Sequence, residues 1–278
     1  ITDYYYYKSE VLVEIAKGLS DSKQFEKASK VFNQALECCN SSIKNDYDYK
    51  TNILIEIAKG LSDSKQFEKA LEVFTQVLES VVLIKNLYYK SKTLIKIVKV
   101  FLTLNQLERA LETADLIKSE FYKSEILVEI AKQLAVSGQF EKAIDIFNKA
   151  LENTYLIDYA SNKTIVPIEI ANGLLTLNEF DKALEITNSI NNNCDKLKLL
   201  TKIAIKFSNL NKIEKSLQVF NQTIEVSGLI NDNYDKLGVL KEIVKGLSAS
   251  NQLEKALEVI VLIKSDYRSE AFVEVVIG

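Results

Sequence analysis

Residues 124–152 read SEILVEIAKQLAVSGQFEKAIDIFNKALE. Leu127, Ile130, Ala131 and Leu134 fall at i, i+3, i+4 and i+7, the apolar stripe of an amphipathic helix. Gly138 then offers the left-handed conformation that ends a helix. A second stripe follows at once, with Phe140, Ala143, Phe147, Ala150 and Leu151 on one face. The stretch predicts two helices joined by a turn of one or two residues.

The same unit recurs along the chain. Its signature is QFEKA at 24–28, 66–70 and 139–143, QLERA at 106–110, EFDKA at 179–183, KIEKS at 212–216 and QLEKA at 252–256. The small residue closing it is Ala28, Ala70, Ala110, Ala143, Ala183, Ser216 or Ala256, at successive spacings of 42, 40, 33, 40, 33 and 40 residues. Long and short units therefore differ by about two helical turns, an insertion that nearly preserves the inward face. The residue equivalent to Gly138 is Lys23, Lys65, Asn105, Asn178, Asn211 or Asn251. Ser9, Thr51, Ser91, Ser124 and Thr164 are candidate N-caps of the first helices. Pro167 falls within a first turn, where its missing N–H costs little.

With the closing small residue set as position 20, position 7 is Ile in all seven units, from Ile15 to Ile243. Position 8 is Ala or Val, position 11 Leu or Phe, and position 24 Phe in the four long units (Phe32, Phe74, Phe147, Phe220). This pattern resembles the tetratricopeptide repeat (TPR), and the elongated units resemble bacterial TPR arrays. Position 4 departs from the family, being Leu or Pro167 in place of Trp, and the terminal Pro of the family unit is missing. A HEAT-type array shares only the 40-residue spacing. The resemblance implies an all-α, right-handed superhelical solenoid of antiparallel helix pairs, with seven units plus partial ends. Residues 1–278 are expected to form a single array. The ends ITDYYYYKSEVL and YRSEAFVEVVIG match interior segments, so the array is expected to be a segment of a longer one.

Composition narrows the chemistry. The chain has no His, Met or Trp, one Pro and eight Gly. Without His there is no imidazole base and no His-ligated metal. No Gly-rich phosphate loop is present. No catalytic residue, metal or cofactor is expected. Net charge is −3, and of 35 basic residues only Arg109 and Arg268 are arginine, so nucleic acid is a disfavoured partner. Cys38, Cys39 and Cys194 form no disulfide framework and fit reduced thiols in a cytoplasmic protein. No apolar run reaches membrane-spanning length.

In the resembling family the first helices line a concave surface. Position 5 reads Val13, Ile55, Ile95, Val128, Ile168, Thr201 and Lys241, and position 9 reads Lys17, Lys59, Lys99, Lys132, Asn172, Ile205 and Lys245. The first five units thus predict a peptide groove with an exposed aliphatic row beside a polar, mostly Lys row, suited to acidic and aliphatic partner segments. The competing reading pairs these lysines locally with Glu14, Glu56, Glu129 and Glu242 at i,i+3.

A second ladder, Lys8, Lys50, Lys90, Lys123, Lys163, Lys196, Lys236 and Arg268, stands just before each first helix. It is a candidate polyanion edge, or it contacts the carbonyl ends of preceding helices. Tyr4 to Tyr7, Tyr47, Tyr49, Tyr88, Tyr89, Tyr122, Tyr234 and Tyr267 precede that ladder and are expected to pack between units with wet hydroxyls. Gly18, Gly60, Gly173 and Gly246, inside helices at position 10, are expected where helices approach closely.

The expected function is a non-enzymatic protein–protein interaction scaffold for a peptide or partner domain. The alternatives are a sensor or regulatory arm of a larger signalling or protease-like protein and, more weakly, single-stranded RNA binding. Self-association through uncapped ends is a further expectation.

Overall fold

The structure, a computed structural model, describes residues 2–42, 47–157, 165–230 and 233–263. Among them are fourteen α-helices and no strand. The order is α1 (Thr2–Asp21), α2 (Phe25–Ser42), α3 (Tyr47–Asp63), α4 (Phe67–Val82), α5 (Leu87–Thr103), α6 (Leu107–Asp115) and α7 (Glu120–Val136). Then come α8 (Phe140–Tyr155), α9 (Ile165–Thr176), α10 (Phe180–Ile186), α11 (Asn193–Asn209), α12 (Ile213–Ser227), α13 (Asn233–Ala249) and α14 (Leu253–Val261). Six antiparallel pairs that the repeat predicts, α1 with α2, α3 with α4, α5 with α6, α9 with α10, α11 with α12 and α13 with α14, pack together, and α7 runs into α8 through the same kind of turn.

Each pair is made by its turn. Lys23, Lys65, Asn105, Gly138, Asn178, Asn211 and Asn251 all have positive φ, between 53° and 76°. They are the seven residues that the repeat places there. In the second pair the Lys65 N–H donates to the Ser62 carbonyl (2.8 Å), and the Gln66 N–H reaches back to Leu61 (2.8 Å). These two bonds satisfy carbonyls that the helix end leaves open. The next helix starts one residue later, so the chain reverses.

The pairs close where side chains are small. Positions 8 and 20 are fully buried in every unit, from Ala16 and Ala28 to Val244 and Ala256. In the sixth unit they touch directly, the Ser216 hydroxyl donating to the Ala204 carbonyl at 2.8 Å. The long second helices α4 and α8 have 16 residues, and the short ones α6 and α14 have 9, which is the expected two-turn difference. Position 7 is buried in six units; in α1 the equivalent Ile15 is 50% exposed.

Two compact units result, residues 1–130 and 131–278, and the division falls inside α7. In the first, α1, α3 and α5 stand side by side, and α2 and α4 each pack on the following first helix. In the second, α9, α11 and α13 repeat that relation, with α8, α10 and α12 behind. The position-10 glycines lie at these contacts. A Cβ on Gly60 would fall onto the Phe32 ring, and one on Gly173 onto the Phe147 ring. At Gly246 it would meet Thr201 Cγ2 at 3.0 Å and the Phe220 ring at 3.2 Å, whereas Gly18 has nothing within 4 Å.

The first helices start earlier than the sequence suggests. Ser9, Thr51, Ser91 and Ser124 are not N-caps but buried interior residues. The Ser91 and Ser124 hydroxyls donate to the carbonyls of Leu87 and Glu120, four residues back, at 2.8 Å. A serine satisfied this way no longer needs a helix end. Caps are instead Asn86, which accepts from the N–H groups of Tyr88 and Tyr89, Ser119, which accepts from Tyr122 N–H at 3.5 Å, and Asn192, which accepts from Asp195 N–H. Consequently the basic ladder lies inside the first helices, not before them. Lys163, Thr164, Arg268 and the partial eighth unit lie outside the described residues, as do the side chains of Tyr4, Tyr5, Tyr6, Tyr47, Tyr234 and Tyr267.

Candidate functional site

The predicted aliphatic row is not open. Val13, Ile55 and Val128 are buried, and Ile95 and Ile168 are half-buried. Position 5 points into the seam between adjacent first helices, as the Thr201 contact at Gly246 shows. These side chains stabilise stacking of the units.

The polar row stays at the surface, in a register that links units. Lys17 reaches Glu14 on its own helix at 3.0 Å and Glu56 on α3 at 2.9 Å, and Glu56 also accepts Lys59 at 3.2 Å. Lys132 binds Glu169 of α9 at 2.7 Å. Lys202 of α11 donates to the Asn172 side chain at 3.5 Å. In these three steps position 9 of one unit meets position 6 of the next. Sequence inspection finds the i,i+3 pairs at Glu14 and Glu56 but misses this cross-unit register.

Burial works to raise the Glu56 carboxyl pKa, but hydrogen bonds and attraction from Lys17 and Lys59 outweigh it, leaving the group below the usual carboxylate range. Burial likewise works to lower Lys17, and its bonds to Glu56 and Glu14 prevail, so its ammonium is held above its ordinary value.

The register has one mismatch. Position 6 of the third unit is Lys96, which puts a cation opposite Lys59. Lys96 donates instead to the neutral Asn52 side chain at 3.2 Å. Beside it, a depression of about 330 Å³ is lined by Lys59, Ser62, Asp63, Lys96, Lys99, Val100 and Thr103.

The basic ladder is engaged with helix ends at two of its members. Lys90 donates to the carbonyl of Val82, the last residue of α4, at 3.0 Å, and Lys123 pairs with Asp115, the last residue of α6, at 2.8 Å. Cations are favoured at helix C-termini by about 0.3–1 kcal/mol. Lys50, Lys196 and Lys236 are half-buried, and Lys8 is exposed. The neighbouring tyrosines form an inter-unit cluster, as expected: Tyr88 meets Tyr122 edge-on at 6.0 Å, while Tyr88 itself is 53% exposed.

Among the described residues, no group of His, Cys, Asp or Glu could hold a metal ion, and no helix is long and apolar enough to cross a membrane. Cys38, Cys39 and Cys194 are free thiols. Cys39 is buried, and desolvation pushes its thiol up to about 12.

No protein-family model and no curated protein matches the sequence. Several solved structures are similar in fold. Ton1535 from Thermococcus onnurineus NA1 is 15% identical, with a TM-score of 0.39 over 98% of this chain and 91% of that one. A tetratricopeptide repeat protein from Parabacteroides merdae is 15% identical, with a TM-score of 0.39 over 96% and 98%. A signal transduction ATPase with numerous domains from Pyrococcus horikoshii, carrying a tetratricopeptide repeat sensor, is 19% identical, with a TM-score of 0.40 over 89% of this chain and 41% of that one. With a left-handed residue in every turn and small residues buried at positions 8 and 20, the described residues are an all-α repeat of antiparallel helix pairs.

Proposed function

We propose that this chain is a non-enzymatic protein-interaction scaffold whose first-helix face receives a peptide or a segment of a partner protein. The observation that carries the reading is the polar face of α1, α3 and α5. There an ion pair between Lys17 and Glu56 ties two units at the surface, and a depression flanked by Lys59 and Lys99 stays open to solvent. A face built from equivalent positions of successive helices offers an extended partner a matching repeat of contacts. The composition supports the same reading, since a chain with no His lacks the commonest general base. The cytoplasmic setting is part of the proposal and rests on the cysteine pattern.

The test is a peptide array probed with the intact chain and with a Lys59→Glu/Lys99→Glu variant. Binding to the wild type that is lost in the variant is the expected result. Equal binding by both removes the first-helix face from the proposal.

A further inference from the structure

The mismatch at Lys96 singles out α5. This helix carries Lys90, Lys92, Lys96 and Lys99 and no acidic residue. The other position-9 to position-6 steps either pair opposite charges or place a neutral residue opposite a charged one, apart from Lys99 to Glu129, which forms no ion pair among the described residues. Among the described residues, only Lys59 and Lys96 put two cations at facing positions of this register, and both line the same depression. A Glu at position 96 would have continued the pairing seen between Lys17 and Glu56.

Tyr89, Lys92, Lys96 and Lys99 are spaced 3, 4 and 3 residues apart, so they share one face of α5, and all four are exposed. From Lys92 to Lys99 that face runs about 10 Å at 1.5 Å per residue. Lys92 lies 4.7 Å over the Tyr122 ring and 5.9 Å from that of Tyr88, which places an aromatic patch at the upper end of the strip. Asp63 is the one carboxylate lining the depression at the lower end.

We infer that this α5 strip is the anchor for an acidic stretch of a peptide partner, with Lys96 and Lys99 taking its carboxylates. The inference rests on the interaction role proposed above and names the partner's chemistry. Charge complementarity favours a peptide over a nucleic acid. The strip is short, and the first helices before and after α5 carry carboxylates, Glu56 on α3 and Glu125 and Glu129 on α7. Such carboxylates repel a continuous phosphate backbone, whereas the short strip accommodates two or three carboxylates. The strip also holds no Arg, the side chain suited to bidentate phosphate contacts.

The experiment measures anisotropy of a labelled peptide of alternating Glu and Leu, its Gln–Leu counterpart and a single-stranded oligouridylate. Each is titrated with the intact chain, with Lys96→Glu, and with Glu56→Lys, which would create a second mismatch. The expected result is binding of the Glu peptide that weakens with salt, falls about tenfold or more in Lys96→Glu, and is kept or strengthened in Glu56→Lys. Lys96→Glu completes the ion-pair register, so its melting temperature should hold or rise, which separates lost binding from lost folding. Equal affinity of wild type and Lys96→Glu overturns the inference. So does preference for the Gln peptide, which leaves the interaction role standing. Tighter binding of the oligouridylate also overturns it, and failure of every peptide sinks both.

Discussion

The ring of Phe32 on α2 occupies the space that a side chain on Gly60 of α3 would need. Phe147 and Gly173 repeat the relation in the second compact unit. Position 24 of a unit and position 10 of the next are thus matched, large to absent. Where the preceding unit is short and lacks Phe, position 10 carries Gln133 or Lys206. Phe74 faces Val100 in this scheme, and its ring instead packs against Phe101 at 5.2 Å. Gly60→Ala should therefore destabilise the chain by about 1–3 kcal/mol through overpacking, even though Ala is the better helix former. Urea unfolding checks this, and Phe32→Leu/Gly60→Ala should recover part of the loss. An Ala variant as stable as the wild type would mean that the ring is free to move aside.

Lys65 has φ of 62° in a turn that suits glycine. A left-handed conformation costs a non-glycine residue about 1–2 kcal/mol. Lys65→Gly is expected to raise stability by about 1 kcal/mol, less what is lost with the Lys65 contact to the Phe25 ring at 5.9 Å. Gly138→Ala, at φ of 76°, should move the other way by a similar amount. Paired thermal melts would show opposite shifts in Tm.

Glu56 joins Lys17 and Lys59, and its carboxyl is held below the usual range. A depressed carboxylate contributes stability above its unfolded pKa and loses it as pH falls through the folded value. The groups are more than a third exposed, so solvent screening limits the effect. Glu56→Gln should cost about 0.5 kcal/mol at neutral pH. The gap to wild type should close under acidic conditions, where Glu56 is protonated in both folded and unfolded chains. Lys17, held above its ordinary value, contributes below the usual lysine range and stops doing so as pH rises through its folded value. Denaturant curves over pH for both chains test the sign.

Burial pushes the Cys39 thiol to about 12, so at pH 8 its thiolate fraction is on the order of 10⁻⁴. Iodoacetamide should leave Cys39 unmodified in the folded chain and modify it after unfolding, while half-exposed Cys194 reacts first. Peptide mass mapping of the two states reads this directly. Rapid native labelling of Cys39 would mean that the end of α2 opens easily.

The pairing of helices was legible from local chemistry. Each turn needs a residue that tolerates positive φ, and each crossing needs small side chains at positions 8 and 20. Both requirements are written within a few residues of each other, as at Asn105 and Ala110. The starts of the first helices were less legible because a serine such as Ser91 serves equally as a cap or, bonded to the fourth carbonyl back, as an interior residue. The better signal was the Asn two residues after a buried Ile, as at Ile84 and Asn86.

The sequence by itself determined the repeat, the helix pair and the turn residues, since these depend on backbone dihedrals and a 3.6-residue period. Only the tertiary structure decided what each surface position does. Ile55 became part of a buried seam, Glu56 joined lysines of two helices, and Lys96 was left opposite Lys59. Those outcomes depend on how one unit docks on the next, and side chains distant in sequence carry no local mark of the partner they will meet.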